Sequence, residues 1–170
     1  GIKMCESFNN QYGTDYRSVM PTNLYGPNDN YEELDSHVLP ALVKKIVDAK
    51  KNNKKTVTIW GNGKTKREFL HTDDLASACI KVMNLSKEKY RKMCGPHDQF
   101  VNVGYGKEIT IKQLAILISK VAGYNGKFNY DKKKPNGTYR KLTDSSKLKI
   151  LNWTPKISLK QGLEKIIFSQ

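Results

Sequence analysis

Apolar positions recur along the chain at helical and strand periods in alternation, a pattern that predicts an α/β fold. Ile2, Cys5, Phe8 and Tyr12 stand three and four residues apart, which predicts a helix over residues 2–12 stopped by Gly13. Gly1 is a poor start for a helix that is amphipathic from its second residue, so the chain is expected to begin inside a longer helix. A short strand is predicted over Arg17–Met20 and a loop from Asn23 to Asp35. Ser36 is placed to cap a helix whose stripe is Leu39, Leu42, Ile46 and Ala49, with Pro40 in the first turn and the end near Lys50. Residues 56–60 alternate as a strand and stop at Gly61-Asn62-Gly63, a turn signal, and the chain returns as a strand over Arg67–His71. Thr72 is predicted to cap a helix with Asp73 and Asp74 in its first turn and Leu75, Ala78, Cys79, Val82 and Met83 inward. Residues 86–98 are charged and read as a loop or a frayed helix end. A strand over Phe100–Val103 follows, then a helix capped by Thr110, with Leu114, Leu117, Ile118 and Val121 inward and Gly123 as its stop. The chain closes with a strand over Lys127–Asp131, a turn-rich stretch KKKPNGTYRK, and helices over Ser145–Leu151 and Ser158–Phe168.

Composition narrows the class. The 170 residues are 38% hydrophobic and 27% charged, which suits a soluble protein of one domain or two small lobes. The longest apolar-rich run, LAILISKVAG, is broken by Ser119 and Lys120, so no membrane span is expected, and the first residues lack the basic and apolar regions of a signal peptide. The formal charge of +14 raises nucleic-acid binding, but the lysines are scattered and only four of the 30 basic residues are arginines. A lysine-rich solvated surface is the better reading, and a polyanionic small ligand is a third. Cys5, Cys79 and Cys94 form no CxxC pair and no metal spacing with the histidines, so reduced thiols in a cytoplasmic protein without metal are expected.

Chemistry concentrates between Tyr16 and Pro40. A strand that runs into Pro21, Asn23, Tyr25, Gly26 and Pro27 presents backbone and amide groups at a sheet end, where α/β folds bind ligands, and the loop beyond delivers His37 to a helix start. Alone, this reads equally as a strand-to-loop turn with a surface or capping histidine.

The runs SVMPTNLYGPNDN, SHVLPAL, IWGNGKTKREFLHTDDLA, NVGYG and KPNGTYRKLTD, in that order, resemble the GDP-L-fucose synthase family of extended short-chain dehydrogenases/reductases. The resemblance covers essentially the whole chain. It implies NADP-dependent epimerisation at C3 and C5 and reduction at C4 of GDP-4-keto-6-deoxy-D-mannose to GDP-L-fucose. It further implies His37 as the acid of the epimerisation and Pro21, Thr22, Asn23, Leu24 and His37 as NADP(H) contacts. Asn23, Lys45, Trp60, Arg67, Asn136 and Lys141 would be substrate contacts, the family carrying Asp where Asn136 stands. Taken by themselves, Lys45 could be a solvated helix lysine, Trp60 a core residue at a strand end, and Arg67 the partner of Glu68. His71, between a strand and a cap, reads as fold support, and His97 has no assignable role.

The family's cofactor-binding glycine motif, its catalytic Tyr-x-x-x-Lys helix and the segment supplying the epimerising base have no counterpart here, so the resemblance is to the C-terminal half. Residues 1–24 and 72–104 would be the remaining parts of an incomplete NADP-binding Rossmann sheet, and 25–71 and 105–170 a smaller α/β domain that binds the GDP-sugar. This chain alone is expected to bind NADPH weakly and to be inactive in ketone reduction. A homodimer is implied by the resemblance, with no nucleic-acid or membrane partner. The alternatives are another NAD(P)-dependent nucleotide-sugar epimerase/dehydratase and a non-catalytic GDP-sugar binding module.

Overall fold

The structure is a computed structural model and describes residues 1–31 and 37–168. Among the described residues, seven short strands and seven helices are interspersed along the chain. They are α1 (Ile2–Tyr12), β1 (Ser18–Pro21), β2 (Asn23–Tyr25), α2 (Val38–Lys51), β3 (Thr56–Trp60), β4 (Lys66–His71), α3 (Thr72–Met83), α4 (Lys87–Cys94), β5 (Phe100–Val103), β6 (Glu108–Thr110), α5 (Ile111–Ala122), β7 (Lys127–Asp131), α6 (Ser146–Ile150) and α7 (Leu159–Phe168).

The strands form three small sheets. β1 pairs with β5 in parallel, β2 with β4 in parallel and β4 with β6 antiparallel, and β3 with β7 in parallel. β3 and β4 therefore do not form a hairpin. The Gly61–Gly63 turn carries the chain from one sheet to another, with Gly61 and Gly63 in the left-handed region that glycine occupies without strain. β2 lies within the predicted loop. Its three residues, between Pro21 and Gly26, are too few to show a period, and they become a strand by pairing with β4, Asn23 opposite Phe69 and Tyr25 opposite His71.

Two apolar clusters hold the chain together, and β4 passes from one to the other at consecutive residues. Phe69 packs with α2, β3, α5 and α7 through Leu42, Ile46, Ile59, Leu114, Ile118 and Leu163. Leu70 packs with Val82 of α3, Tyr90 and Cys94 of α4, Val101 and Val103 of β5, and Leu148, Leu151 and Trp153.

Helix ends follow their sequence signals, with some shifts of position. Gly13 and Gly123 close α1 and α5 in left-handed geometry. Thr110 and Gln113 form a reciprocal capping box. The predicted cap Ser36 lies outside the described residues, and His37 occupies the cap position of α2 without a side-chain bond to the helix. Thr72 is the first residue of α3 rather than its cap. The cap is His71, whose Nδ1 accepts from the Asp73 amide at 3.1 Å. Residues 87–94, read as loop or frayed end, form α4 because Ser86 caps them and Tyr90 and Cys94 are buried. Cys79 is only partly buried, while Met83 stays 70% exposed at the last turn of α3. The face of α1 that carries Ile2, Cys5, Phe8 and Tyr12 is half-buried at its first two residues only. Phe8 and Tyr12 are exposed, whereas Asn9 is buried and holds the Tyr16 backbone and Gln99.

Among the described residues no helix is long and apolar enough to cross a membrane, and no cluster of His, Cys, Asp and Glu is arranged to hold a metal ion.

Candidate active site

The start of α2 separates two hollows. His37 lines one of about 630 Å³ with Pro21, Thr22, Asn23, Leu24 and Lys141. Val38, the next residue, lines a second of about 340 Å³ together with Lys45, Trp60, Arg67 and Asn136. Residues from five separate stretches of sequence thus converge on two adjoining hollows.

The larger hollow forms where β1 leaves its sheet. The Thr22 amide donates to the Val103 carbonyl at 2.9 Å, extending the β1–β5 ladder, and the Asn23 side-chain amide then donates to the Glu68 carbonyl at 2.8 Å. That bond pins the Asn23 side chain on the lining of the hollow. A Cβ at Gly26 would lie 2.3 Å from the Thr72 hydroxyl, so a larger residue there would require Thr72 to move. His37 is exposed on the rim. Lys141 is exposed too, and Thr143, also on the lining, is fixed from beneath.

Glu68 does that fixing. Its side chain is wholly buried, and its carboxylate accepts from the Gly106 amide at 2.6 Å and the Thr143 amide at 2.9 Å. Glu68 therefore ties β4 to the two loops beneath the larger hollow, and its carbonyl holds Asn23. Gly104 is bare because a Cβ would come within 2.7 Å of the same carboxylate. Sequence reasoning saw Glu68 only as a partner for Arg67. Instead, Arg67 donates through Nη1 to the carbonyls of Lys66 and Thr138, and its own loop contacts orient it toward the smaller hollow.

The smaller hollow has an apolar floor from Leu42, Ile59 and Ile111 and a cationic rim. Trp60 is 49% exposed, so it is no core residue, and the Lys45 ammonium sits 4.9 Å from its ring centroid. Lys134 approaches the same ring at 5.1 Å. Asn136 has a structural duty, its side-chain oxygen accepting from the Asn62 amide at 2.8 Å and docking its loop on the β3 turn. Asp29 is the one acidic residue among the described lining of the two hollows, so both favour anions.

The tyrosines behave differently from a catalytic pair. Tyr25 is buried with its ring edge-on to His71, and burial raises its hydroxyl well above the ordinary range. The Tyr-x-x-x-Lys spacing does occur once, at Tyr130 and Lys134, but on strand β7 and the turn after it, not on a helix face. His71 is buried, and burial holds its imidazole below the usual value. His97 is exposed and offers its backbone carbonyl to Lys3.

Sequence reasoning missed Glu68. Glu68 stands in a strand whose last four residues are all buried, a run that argues for an internal partner. The three lysines before Pro135 carry no signal of which one reaches the Trp60 ring.

The chain is 51% identical to a GDP-L-fucose synthase of Escherichia coli (strain K12) over 163 residues, covering 96% of this chain and 51% of that protein. It is 50% identical to GDP-L-fucose synthase 1 of Arabidopsis thaliana, covering 96% of this chain and 48% of that one. The chain thus spans about half the length of these curated relatives. Among solved structures, a GDP-D-glycero-L-gluco-heptose synthase of Campylobacter jejuni, crystallised in the presence of NADPH, superposes with a TM-score of 0.88 at 32% identity, over 99% of this chain and 56% of that one. The profile of the NAD dependent epimerase/dehydratase family matches residues 1–104, more than half of the 170, and the chain belongs to that family.

Proposed function

We propose that this chain is the GDP-sugar-binding half of an NADP-dependent epimerase/reductase of the GDP-L-fucose synthase type. One observation carries the reading: the residues implied by sequence for sugar, cofactor and nucleotide contact come together on two adjoining hollows divided at His37 and Val38. The smaller hollow, apolar below and cationic at its rim, suits a nucleoside with its diphosphate, Arg67 gripping oxygens as a fork and Lys45 as a point charge beside the Trp60 platform. The larger hollow takes the keto sugar, with Asn23 and Lys141 as contacts.

Protons beside a ketone are acidic because the enolate is stabilised by the carbonyl. Epimerisation at C3 or C5 removes a proton on one face and returns one on the other, with no net change in proton count. His37 is assigned as the donor of the returning proton, a role supported by its exposure at the hollow's rim and its lack of a cap bond. The base that removes the first proton is assigned to residues outside this chain. Pro21, Thr22, Asn23 and Leu24, at the carboxyl end of the parallel β1–β5 pair, are suited to line a nicotinamide, with Thr22 held by its amide on the Val103 carbonyl and Asn23 by its side-chain amide on the Glu68 carbonyl. NADPH, when bound, supplies the hydride for the C4 ketone. No Gly-x-Gly-x-x-Gly run occurs in these residues, so the cofactor's diphosphate cradle is assigned elsewhere.

The same reading divides the chain into Rossmann segments, 1–24 and 72–104, and sugar-nucleotide segments, 25–71 and 105–170. It places the protein in the cytoplasm, where its three free thiols stay reduced. The exposed Met4, Phe8 and Tyr12 of α1 support pairing with a second copy.

Calorimetric titration tests the proposal. GDP is expected to bind and UDP to bind more weakly, with Trp60→Ala and Arg67→Ala each reducing the GDP affinity. Equal affinity for both nucleotides would favour a different sugar-nucleotide enzyme, and no heat with GDP would overturn the reading. NADPH fluorescence is expected to show weak binding, and tight stoichiometric binding would overturn the division between halves.

A further inference from the structure

We propose that Glu108 is a positioning residue for the sugar end of the ligand, acting through Arg140 to set Lys141 on the larger hollow; this rests on the GDP-sugar reading above. Glu108 stands directly opposite Glu68 in the antiparallel β4–β6 ladder, where two like charges work against the pairing. Each carboxylate is instead committed to a different part of the loop that follows β7. That of Glu68 accepts from the Thr143 amide, and that of Glu108 accepts from the Arg140 Nε at 2.6 Å and the Lys66 ammonium at 2.8 Å.

The backbone brings cations together at this point. Arg140 bridges Lys66 in parallel, and the Lys66 amide donates to the Tyr139 carbonyl at 2.9 Å, so Lys66, Arg67, Arg140 and Lys141 fall within two short stretches of adjoining chain. Successive residues of a strand point to opposite faces. Glu108 takes Lys66 and Arg140, while Arg67 lines the smaller hollow and Lys141 the larger. The Glu108 side chain is only 17% exposed, and its bonds to Lys66 and Arg140 hold its carboxyl below the ordinary range, so it stays charged at neutral pH. Lys141 is thus flanked by two tied residues, Arg140 on Glu108 and Thr143 on Glu68. Leu142 between them is exposed and gives the loop no apolar anchor there. With the Thr143 tie alone the loop could pivot, and the second tie fixes where the Lys141 side chain starts. The other end of the loop, at Asn136, is docked separately on the Asn62 amide, so the smaller hollow does not depend on Glu108.

The test titrates the unaltered chain, Glu108→Gln and Arg140→Met with GDP-L-fucose and with GDP by calorimetry, and repeats both substitutions in a Lys141→Met background. Each single variant is expected to weaken GDP-L-fucose binding about fivefold while GDP binding stays within about twofold. In the Lys141→Met background neither is expected to weaken it further, because the residue they act through is gone. The Arg140 side chain is 57% exposed, so Arg140→Met decides the matter where Glu108→Gln fails to fold. GDP-L-fucose affinity kept by a folded single variant would overturn the inference. So would an equal loss for GDP, since the carboxylate would then brace the whole loop rather than Lys141. The same holds for a loss repeated in full without Lys141, or for Lys141→Met binding GDP-L-fucose normally. If the unaltered chain binds neither ligand, the functional reading fails first and this inference with it. If it binds both and any of the overturning results appears, only this inference fails.

Discussion

Replacing Glu68 with glutamine removes one negative charge and one acceptor from the centre of the fold while keeping the side chain's shape. Both carboxylate oxygens now accept from main-chain amides, those of Gly106 and Thr143, and the side chain is wholly buried. A glutamine can serve one of those amides. Its NH2 group then faces the other donor, which is left buried without a partner. Loss of a hydrogen bond to a charged group is worth about 1.5–3 kcal/mol, and an unpaired buried amide about 1–3. Burying a neutral group rather than a charge returns part of this, so the net loss is about 2 kcal/mol. For a chain of this length that lowers the melting temperature by roughly 4–8 °C. Thermal denaturation followed by circular dichroism measures the shift. Hydrogen exchange locates it, with the Gly106 and Thr143 amides expected to lose more protection than those of α5. An unchanged melting temperature, or loss of protection spread evenly over the chain, would refute the role given to Glu68.

Other outcomes follow from buried groups nearby. Tyr25→Phe removes a hydroxyl that has no partner among the described residues, and is expected to raise stability by about 1 kcal/mol in urea denaturation; a loss would show that the hydroxyl is bonded. Gly162→Ala places a Cβ 2.1 Å from that hydroxyl and 2.7 Å from the ring, so it should cost about 1–3 kcal/mol, and less when combined with Tyr25→Phe. Burial keeps the folded His71 imidazole below its ordinary 6.5, so the unfolded chain takes up the proton first as pH falls. Its contribution is present above pH 6.5 and lost below it; the melting temperature should fall between pH 7 and 5, and His71→Asn, which keeps a cap, should flatten that slope.

How much of this could be read from the sequence depends on how local each determinant is. β3, β5 and β7 fall where their alternation places them, to the residue, and α5 starts and stops at the signals of Thr110 and Gly123. Pairing was not legible. TVTIW and KREFLH flank a Gly-Asn-Gly turn, yet β3 joins β7 some 70 residues later in register, Thr56 opposite Lys127, and meets Phe69 of β4 only through the shared apolar cluster of Val57 and Ile59. The site shows the same division. Pro21 to Leu24, His37, Trp60 and Arg67 carry recognisable motifs and do gather at the two hollows.

What holds them there has no motif, since it consists of main-chain amides meeting one carboxylate. Glu68 reaches Gly106 and Thr143, which lie 38 and 75 residues away, and only the folded chain brings them together. The consequence for function is that β4 carries the site on both sides of its backbone. Its Arg67 side chain lines the smaller hollow, its Glu68 carbonyl orients Asn23 in the larger one, and its Glu68 carboxylate sets the loop bearing Lys141. Both hollows therefore depend on a single strand, and a shift of β4 by one residue would exchange Arg67 and Glu68, turning a cation into the core and a carboxylate toward the smaller hollow. The buried carboxylate fixes that register: at any other position along β4 it would lose both amides, so the same group that steadies the fold also keeps the two halves of the site aligned.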